Sequence, residues 1–294
     1  MRVFVTGGNG WVGSFVVPDL LAHGHDVVAL ARSDASASQL RAMGAEVVTG
    51  SLEDQASLRA GGETADGVIH LAFIHDFSQY DAANAVDRDV VITFGDVLAG
   101  SDRPLVITSG TASTAVGRPS TEDDPPPPGF PRSEATTIAV GLAARGVRSS
   151  VVRLPPTVHG EGDKGFVSQF VAVARERGVS AYIGDGTNQW PAVHRDDAAR
   201  LYRLALEDAP AGSIWHAVGD EGVPTRAIAE VIGRHVDVPV QSIAPADATE
   251  HFGFVGFVFG ADIPASSALT RERLGWEPTG PGLLEDLEAG HYFR

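Results

Sequence analysis

The stretch Val3-Phe4-Val5-Thr6-Gly7-Gly8-Asn9-Gly10-Trp11-Val12-Gly13 decides the fold. A short apolar strand runs into glycines at 7, 10 and 13, and a helix-like run, Phe15 to Leu21, follows. Each glycine has a place where a side chain would obstruct. The first permits a tight turn, the second lets backbone approach a pyrophosphate, and the third lets helix pack closely on strand. The new helix presents free N–H groups and the positive end of its dipole to the phosphates. Glycine-rich turns are common, so the strand before and the helix after are what turn this one into a dinucleotide site.

Working outward, the βα unit recurs. Asp26 to Ala31 reads as a second strand, followed by a helix from Ala37 to Met43 that Gly44 ends. Glu46 to Thr49 is a third strand with Gln55 to Arg59 helical behind it, and Gly67 to Ala72 is a fourth. Gln79 to Ala99 carries apolar residues at near-helical spacing before a fifth strand, Leu105 to Thr108. A helix from Glu134 to Arg145 leads to strand Ser149 to Leu154. Strands apolar nearly throughout and alternating with helices predict a doubly wound α/β fold, its parallel sheet covered on both faces. The acidic, proline-rich run Thr121 to Pro131 predicts an extended surface loop. Beyond Leu154 the pattern loosens, with helices expected over Ser168 to Arg177, Arg195 to Glu207 and Thr225 to His235. A short capped helix, Ser267 to Leu274, is stopped by Gly275. The expected division is a dinucleotide-binding domain over 1–154 and a smaller substrate lobe over 155–294, with residues about 187–220 returning to pack on the first.

Composition narrows the partners. The net charge of −16 argues against nucleic acid and anionic membrane, both of which repel an acidic surface. Cysteine is absent, which removes disulfides and thiolate chemistry. No apolar run approaches a membrane span, and the first strand leaves no room for a signal peptide, so a cytoplasmic monomer or homodimer is expected. His23 and His25 read as a surface turn, and no metal-binding motif emerges.

The spacing Thr6-Gly7-x-x-Gly10-x-x-Gly13 resembles that of the extended and atypical short-chain dehydrogenases/reductases, the group that includes NAD-dependent epimerase/dehydratase-like proteins. Further stretches carry the resemblance across essentially the whole chain: Gly50-Ser51-Leu52-Glu53-Asp54, His70-Leu71-Ala72-Phe73, His194-Arg195-Asp196-Asp197-Ala198 and Leu274-Gly275-Trp276-Glu277-Pro278. The resemblance implies a cofactor lying along Gly7, Asn9, Gly10, Trp11, Val12 and Gly13. Ser51 and Leu52 would flank the adenine, with Ser51 where Asp is usual. Leu71, Ala72 and Phe73 would line the cofactor, and Pro155 would stand beside the nicotinamide. The His194 element reads as structural, and His70, inside an apolar strand, as a satisfied core residue.

Where an acidic residue ending the second strand would hold the ribose hydroxyls, the chain reads Ala31-Arg32-Ser33. Arg32 can pair with a 2′-phosphate and Ser33 can donate to it, which favours NADP over NAD. Otherwise Arg32 is a solvated surface residue, and Asp34, read as a helix cap, can swing in.

The superfamily's catalytic pattern breaks. The stretch matching its Tyr-x-x-Ser-Lys is Phe130-Pro131-Arg132-Ser133-Glu134, and the chain's single lysine is Lys164, four residues after Gly160. The Ser/Thr place survives in part as Ser109-Gly110-Thr111. Ser109 or Thr111 either binds a substrate carbonyl or caps a strand end, with Thr111 the first choice for the substrate oxygen. His75, Tyr80, His159 and Tyr182 are candidate replacements for the acid, each with packing as the plainer role. His75, or water, is the expected proton donor, so a reductase rate should fall as pH rises through the histidine range. The expected function is an NADP-dependent oxidoreductase acting on a small carbonyl or alcohol. The alternatives are an NADP-binding sensor or interaction protein without turnover, and an epimerase- or dehydratase-like enzyme.

Overall fold

The computed structural model describes every residue except 76–78, 128, 130, 131 and 254. Strands β1 (Arg2–Thr6), β2 (Asp26–Ala31), β3 (Glu46–Thr49), β4 (Gly67–His70), β5 (Pro104–Gly110) and β6 (Arg148–Leu154) are separated by helices. These are α1 (Gly13–Ala22), α2 (Asp34–Ala42), α3 (Gln55–Glu63), α4 (Tyr80–Leu98) and α5 (Ser133–Gly141). The chain continues through β7 (Thr157–His159), α6 (Phe166–Arg177), β8 (Ser180–Ile183), β9 (Gln189–His194) and α7 (Arg195–Asp208). Next come β10 (Ser213–His216), β11 (Asp220–Pro224), α8 (Thr225–Val236) and β12 (Val240–Ile243). Short helices α9 (Ala248–Phe252), α10 (Val255–Phe259), α11 (Ala268–Leu274) and α12 (Leu283–Glu288) complete it.

The central sheet has seven strands in the order β10-β6-β5-β4-β1-β2-β3, all parallel. Side-chain alternation splits each strand between two cores. Val3, Val5, Ile69, Val106 and Val152 point to one face, where Val16 and Leu20 of α1 and Tyr202 and Leu206 of α7 cover them. Phe4, Val68, Leu105, Ile107 and Val151 point to the other, under Leu58, Val90, Phe94 and Ala139. Both faces are buried, which is why the strands read as unbroken apolar runs rather than alternating ones. The parallel order reverses between β1 and β4, so the loops after these two strands open a crevice at the carboxyl edge, where ligands bind in such sheets.

The remaining strands form a three-stranded sheet, β11-β9-β7, and a pair, β12-β8. They enclose a third core in which Phe170, Trp190, Phe252 and Phe259 pack ring against ring. The segment between these strands returns to the first sheet: α7 packs on α1, and β10 adds the edge strand beside β6.

Several sequence expectations need correction. The fourth strand ends at His70 rather than Ala72, and the helix expected to reach Arg145 leaves α geometry after Gly141 for a 3-10 turn. Ser33, not Asp34, caps α2, its hydroxyl accepting from the Ser36 N–H. Ser267 does not cap α11, because its hydroxyl donates to the Val218 carbonyl. His25 is buried against Glu207 rather than lying in a surface turn. The acidic, proline-rich loop is not wholly superficial: Glu122 is buried and accepts from the backbone of Thr270, and the Asp124 carbonyl accepts from buried Arg153. The chain needs polar partners for these buried donors, and the loop supplies them.

Candidate cofactor and active site

The strand β1 delivers its last residue, Thr6, to the carboxyl edge, and the glycines follow. Gly7 takes φ +75°, and a Cβ there would lie 2.6 Å from the backbone nitrogen of Ala72. At Gly13 a Cβ would meet the Gly7 carbonyl at 2.1 Å. Both positions therefore exclude every other residue. Gly10 differs: a Cβ would meet only the Gly7 carbonyl, at 3.2 Å, and its open side is exposed. Val12, at the N-terminus of α1, gives that helix no side-chain cap, whereas Ser33 and Asp54 cap α2 and α3. The turn thus leaves backbone donors and space together, which is what a bound pyrophosphate requires.

The loop is tied on three sides. Asn9 donates to Ser36 (3.2 Å) and to Gln39 (3.3 Å) of α2, and Ser33 donates to the same Ser36 hydroxyl (3.0 Å). Trp11 donates to the Val158 carbonyl at 2.7 Å. Thr6 accepts from Ala72 N–H and is hydrogen-bonded to His70 at 2.6 Å. Leu71, Ala72 and Phe73, all half-buried, therefore run directly beside the glycine turn. Arg32 is exposed at the end of β2 and has no ion-pair partner among the described residues. Ser51 and Leu52 lie just past β3, whose Thr49 pairs with Ala31, so they stand at the same edge as Arg32. A dinucleotide fits this arrangement: glycine cradle for the phosphates, Arg32 beyond the second strand, Leu71 to Phe73 along the crevice.

The candidate reacting end lies on β5, β4 and β6. Ser109 and Thr111 are buried, and Ser109 accepts a hydrogen bond from Thr136 of α5 at 2.9 Å. Thr111 donates its N–H to the Leu154 carbonyl, which places it beside Pro155 at the end of β6. His75 lies further out, with Nδ1 3.1 Å from the Phe73 carbonyl and its ring edge-on to Phe73. Burial lowers its pKa, the bond to Phe73 opposes this, and the charge of Arg132 adds to the lowering. A proton held by His75 is therefore lost at lower pH than an ordinary histidine's. Tyr80 moves the other way, raised by burial against the opposing charge of Arg132.

Arg132 and its partner Asp87 are what the sequence reading missed. Arg132 sits at φ +61° just before α5, its guanidinium 5.0 Å over the Phe73 ring. It donates twice to the carboxylate of Asp87, at 2.9 and 3.2 Å. Asp87 also accepts from His70 Nε2 at 3.0 Å, so Thr6, His70, Asp87 and Arg132 form one largely buried chain from the glycine turn to Phe73. His70 is thus a satisfied core residue. Burial raises the Asp87 pKa, but His70 and Arg132 outweigh it and the net direction is down. The signal was present: Asp87 falls on the same helical face as Ala83, Val90, Val91 and Phe94, a charge among apolar neighbours.

The other candidates lie apart from this chain. His159 is buried against Asp286 at 2.9 Å, and Tyr182, on β8, carries Arg226 over its ring. Asp197 accepts from the backbone of Thr279 and Gly280, and its carbonyl accepts from buried Trp276, a structural lock between the two matching motifs. Phe130, expected in the place of the superfamily's tyrosine, lies outside the described residues. Among the described residues no acid or histidine cluster has metal-holding geometry, and no helix is long and apolar enough to cross a membrane.

Comparison with known proteins sets this geometry in context. The profile of the NAD dependent epimerase/dehydratase family matches residues 3–217. An uncharacterized protein of Schizosaccharomyces pombe is 50% identical, over 100% of both chains. A ketoreductase of Stigmatella aurantiaca, named for 4-hydroxy-2-methyl-3-oxo-4-farnesyl-3,4-dihydroquinoline-1-oxide, is 28% identical, covering 86% of this chain and 80% of its own. Among solved structures, the dTDP-glucose 4,6-dehydratase DesIV of Streptomyces venezuelae with NAD bound superimposes with TM-score 0.79 at 19% identity, covering 99% of this chain and 96% of its own.

Proposed function

Since the chain belongs to the NAD-dependent epimerase/dehydratase family of short-chain dehydrogenases/reductases, we propose that it is an NADP-dependent oxidoreductase acting on a small carbonyl or alcohol. The observation that carries the cofactor choice is Arg32: exposed, without an ion-pair partner among the described residues, and standing at the end of β2 where a carboxylate would select NAD. The Ser33 hydroxyl is engaged with Ser36, so Arg32 carries the 2′-phosphate. Residues 155–294, apart from the returning segment about 187–220, serve as the substrate lobe. A ketoreductase among the relatives is consistent with carbonyl chemistry.

When bound, the nicotinamide supplies or accepts the hydride. Thr111 holds the substrate oxygen with its hydroxyl, and Ser109, which accepts from Thr136, keeps its own O–H to give. The proton on the nascent alkoxide comes from His75 or from water. Arg132, neutralised by Asp87, stiffens the rim through Phe73.

A screen of NADPH oxidation against aldehydes, ketones and activated alkenes tests the reading. Turnover of a carbonyl supports it. A second reading, an NADP-binding sensor without turnover, is favoured by Phe130 and Glu134 standing where the superfamily has tyrosine and lysine. Tight NADPH binding with no substrate turned over supports that reading instead.

A further inference from the structure

A cavity of about 490 Å³ separates the two halves of the molecule at the glycine turn. One wall is Asn9, Gly10, Trp11 and Ser14, and the other is the loop of residues 162–165 between β7 and α6. The second wall carries Lys164, the chain's single lysine among 22 basic residues. Lys164 is exposed and has no ion-pair or hydrogen-bond partner among the described residues.

The loop that presents it is fixed at both ends. On the glycine side, Trp11 donates to Val158, and the Arg195 guanidinium lies 4.4 Å over the Phe15 ring while donating to the Glu161 carbonyl. On the far side, Tyr292 accepts from Gly160 N–H (3.2 Å) and donates to the Asp163 carboxylate (3.0 Å). The second Asp163 oxygen accepts from Gly165 N–H at 2.6 Å. Asp163 is the acidic residue of the same wall, and both its oxygens are already engaged by these donors. Burial further pushes its carboxyl pKa up, which weakens its claim on the neighbouring ammonium. The result is a flexible cation without a partner among the described residues, held across open space from the Gly10 backbone. A lysine there acts as a mobile point charge, suited to a phosphate oxygen whose position varies.

We propose that Lys164 is a phosphate clamp in the second lobe, closing over the pyrophosphate of a dinucleotide seated on the glycine turn, with Tyr292 as the residue that positions its loop. The proposal rests on the dinucleotide reading given above.

The test is equilibrium binding, by nicotinamide fluorescence for NADPH and by calorimetry for ADP-ribose and adenosine 2′-monophosphate. Lys164→Gln should weaken NADPH and ADP-ribose about tenfold, as expected for loss of one charge-assisted hydrogen bond. It should leave adenosine 2′-monophosphate, which lacks the pyrophosphate, unchanged. Lys164→Arg should retain most of the affinity. Tyr292→Phe should weaken NADPH by a smaller factor, again sparing the monophosphate. Unchanged NADPH affinity in Lys164→Gln, with wild-type protein binding NADPH normally, overturns the clamp and leaves the cofactor reading standing. Equal weakening of all three ligands also overturns it, because the lysine would then act as diffuse charge. Wild-type protein that binds none of the dinucleotides overturns both. Lys164 is exposed, so its variants should melt with the wild type, and the melting curve verifies this.

Discussion

Replacing Asp87 by asparagine keeps the shape of the side chain and removes its charge. The carboxylate lies 1% exposed, accepts two bonds from Arg132 and one from His70, and is the group that makes the Arg132 guanidinium tolerable in a largely buried place. An asparagine oxygen in the Oδ1 place can still accept from Arg132 and His70, but the NH₂ then faces the Arg132 Nε–H, a donor that has no use for it. Breaking a buried ion pair by removing one partner costs about 3–5 kcal/mol. The Arg132 side chain retains 12% exposure and can turn partly to water, which puts the loss near the lower end, roughly 3 kcal/mol. At about 2 °C per kcal/mol for a chain of this size, the melting temperature should fall by about 6 °C. The pH dependence gives a second readout. The Asp87 pKa is depressed in the folded state, so its stabilisation is present above the unfolded carboxyl value of about 4 and is lost as pH falls through the folded value below it. The variant should therefore show a shallower loss of stability on acidification. Asp89→Asn, half-exposed on the same helix and paired with Arg88, is the control and should stay within about 0.5 kcal/mol. Thermal unfolding followed by circular dichroism decides the matter. A melting temperature within 2 °C (roughly 1 kcal/mol) of wild type, with an unaltered acid limb, refutes the argument that this pair is structural.

Arg32→Asp should reverse the cofactor preference from NADPH toward NADH, measured as the ratio of the two dissociation constants; an unchanged ratio removes Arg32 from the site. Thr111→Val should lower kcat by roughly 3 kcal/mol of barrier if its hydroxyl stabilises the nascent alkoxide, with NADPH affinity unaltered. If His75 supplies the proton, kcat should be level on the acid side of its titration, which burial shifts below the ordinary histidine value near pH 6.5, and should fall as pH rises through it, a fall that His75→Gln should abolish. Gly13→Ala must move backbone away from a contact of 2.1 Å with the Gly7 carbonyl, and should cost both folding stability and dinucleotide binding, seen together by melting with and without NADPH.

The sequence by itself determined the βα order, the parallel sheet and the glycine turn, because these rest on local chemistry. Apolar runs define strands buried on both faces, and Gly7 and Gly13 are read from positions where any Cβ collides with backbone. Element ends were less legible, since Ser33 and Asp34 are equally good caps until the hydroxyl of one is seen to bond Ser36. What only the tertiary structure decided is which polar groups meet across the chain. Asp87 and Arg132 are 45 residues apart, and the pairing exists because α4 and the turn before α5 pack over the same end of the sheet. Lys164 served in the sequence only to exclude a catalytic motif. Its place opposite Gly10 follows from Trp11, Arg195 and Tyr292, three residues from distant segments that hold one loop in register. Burial and long-range hydrogen bonding set both the charge state and the reach of such groups, and neither quantity is encoded in spacing along the chain.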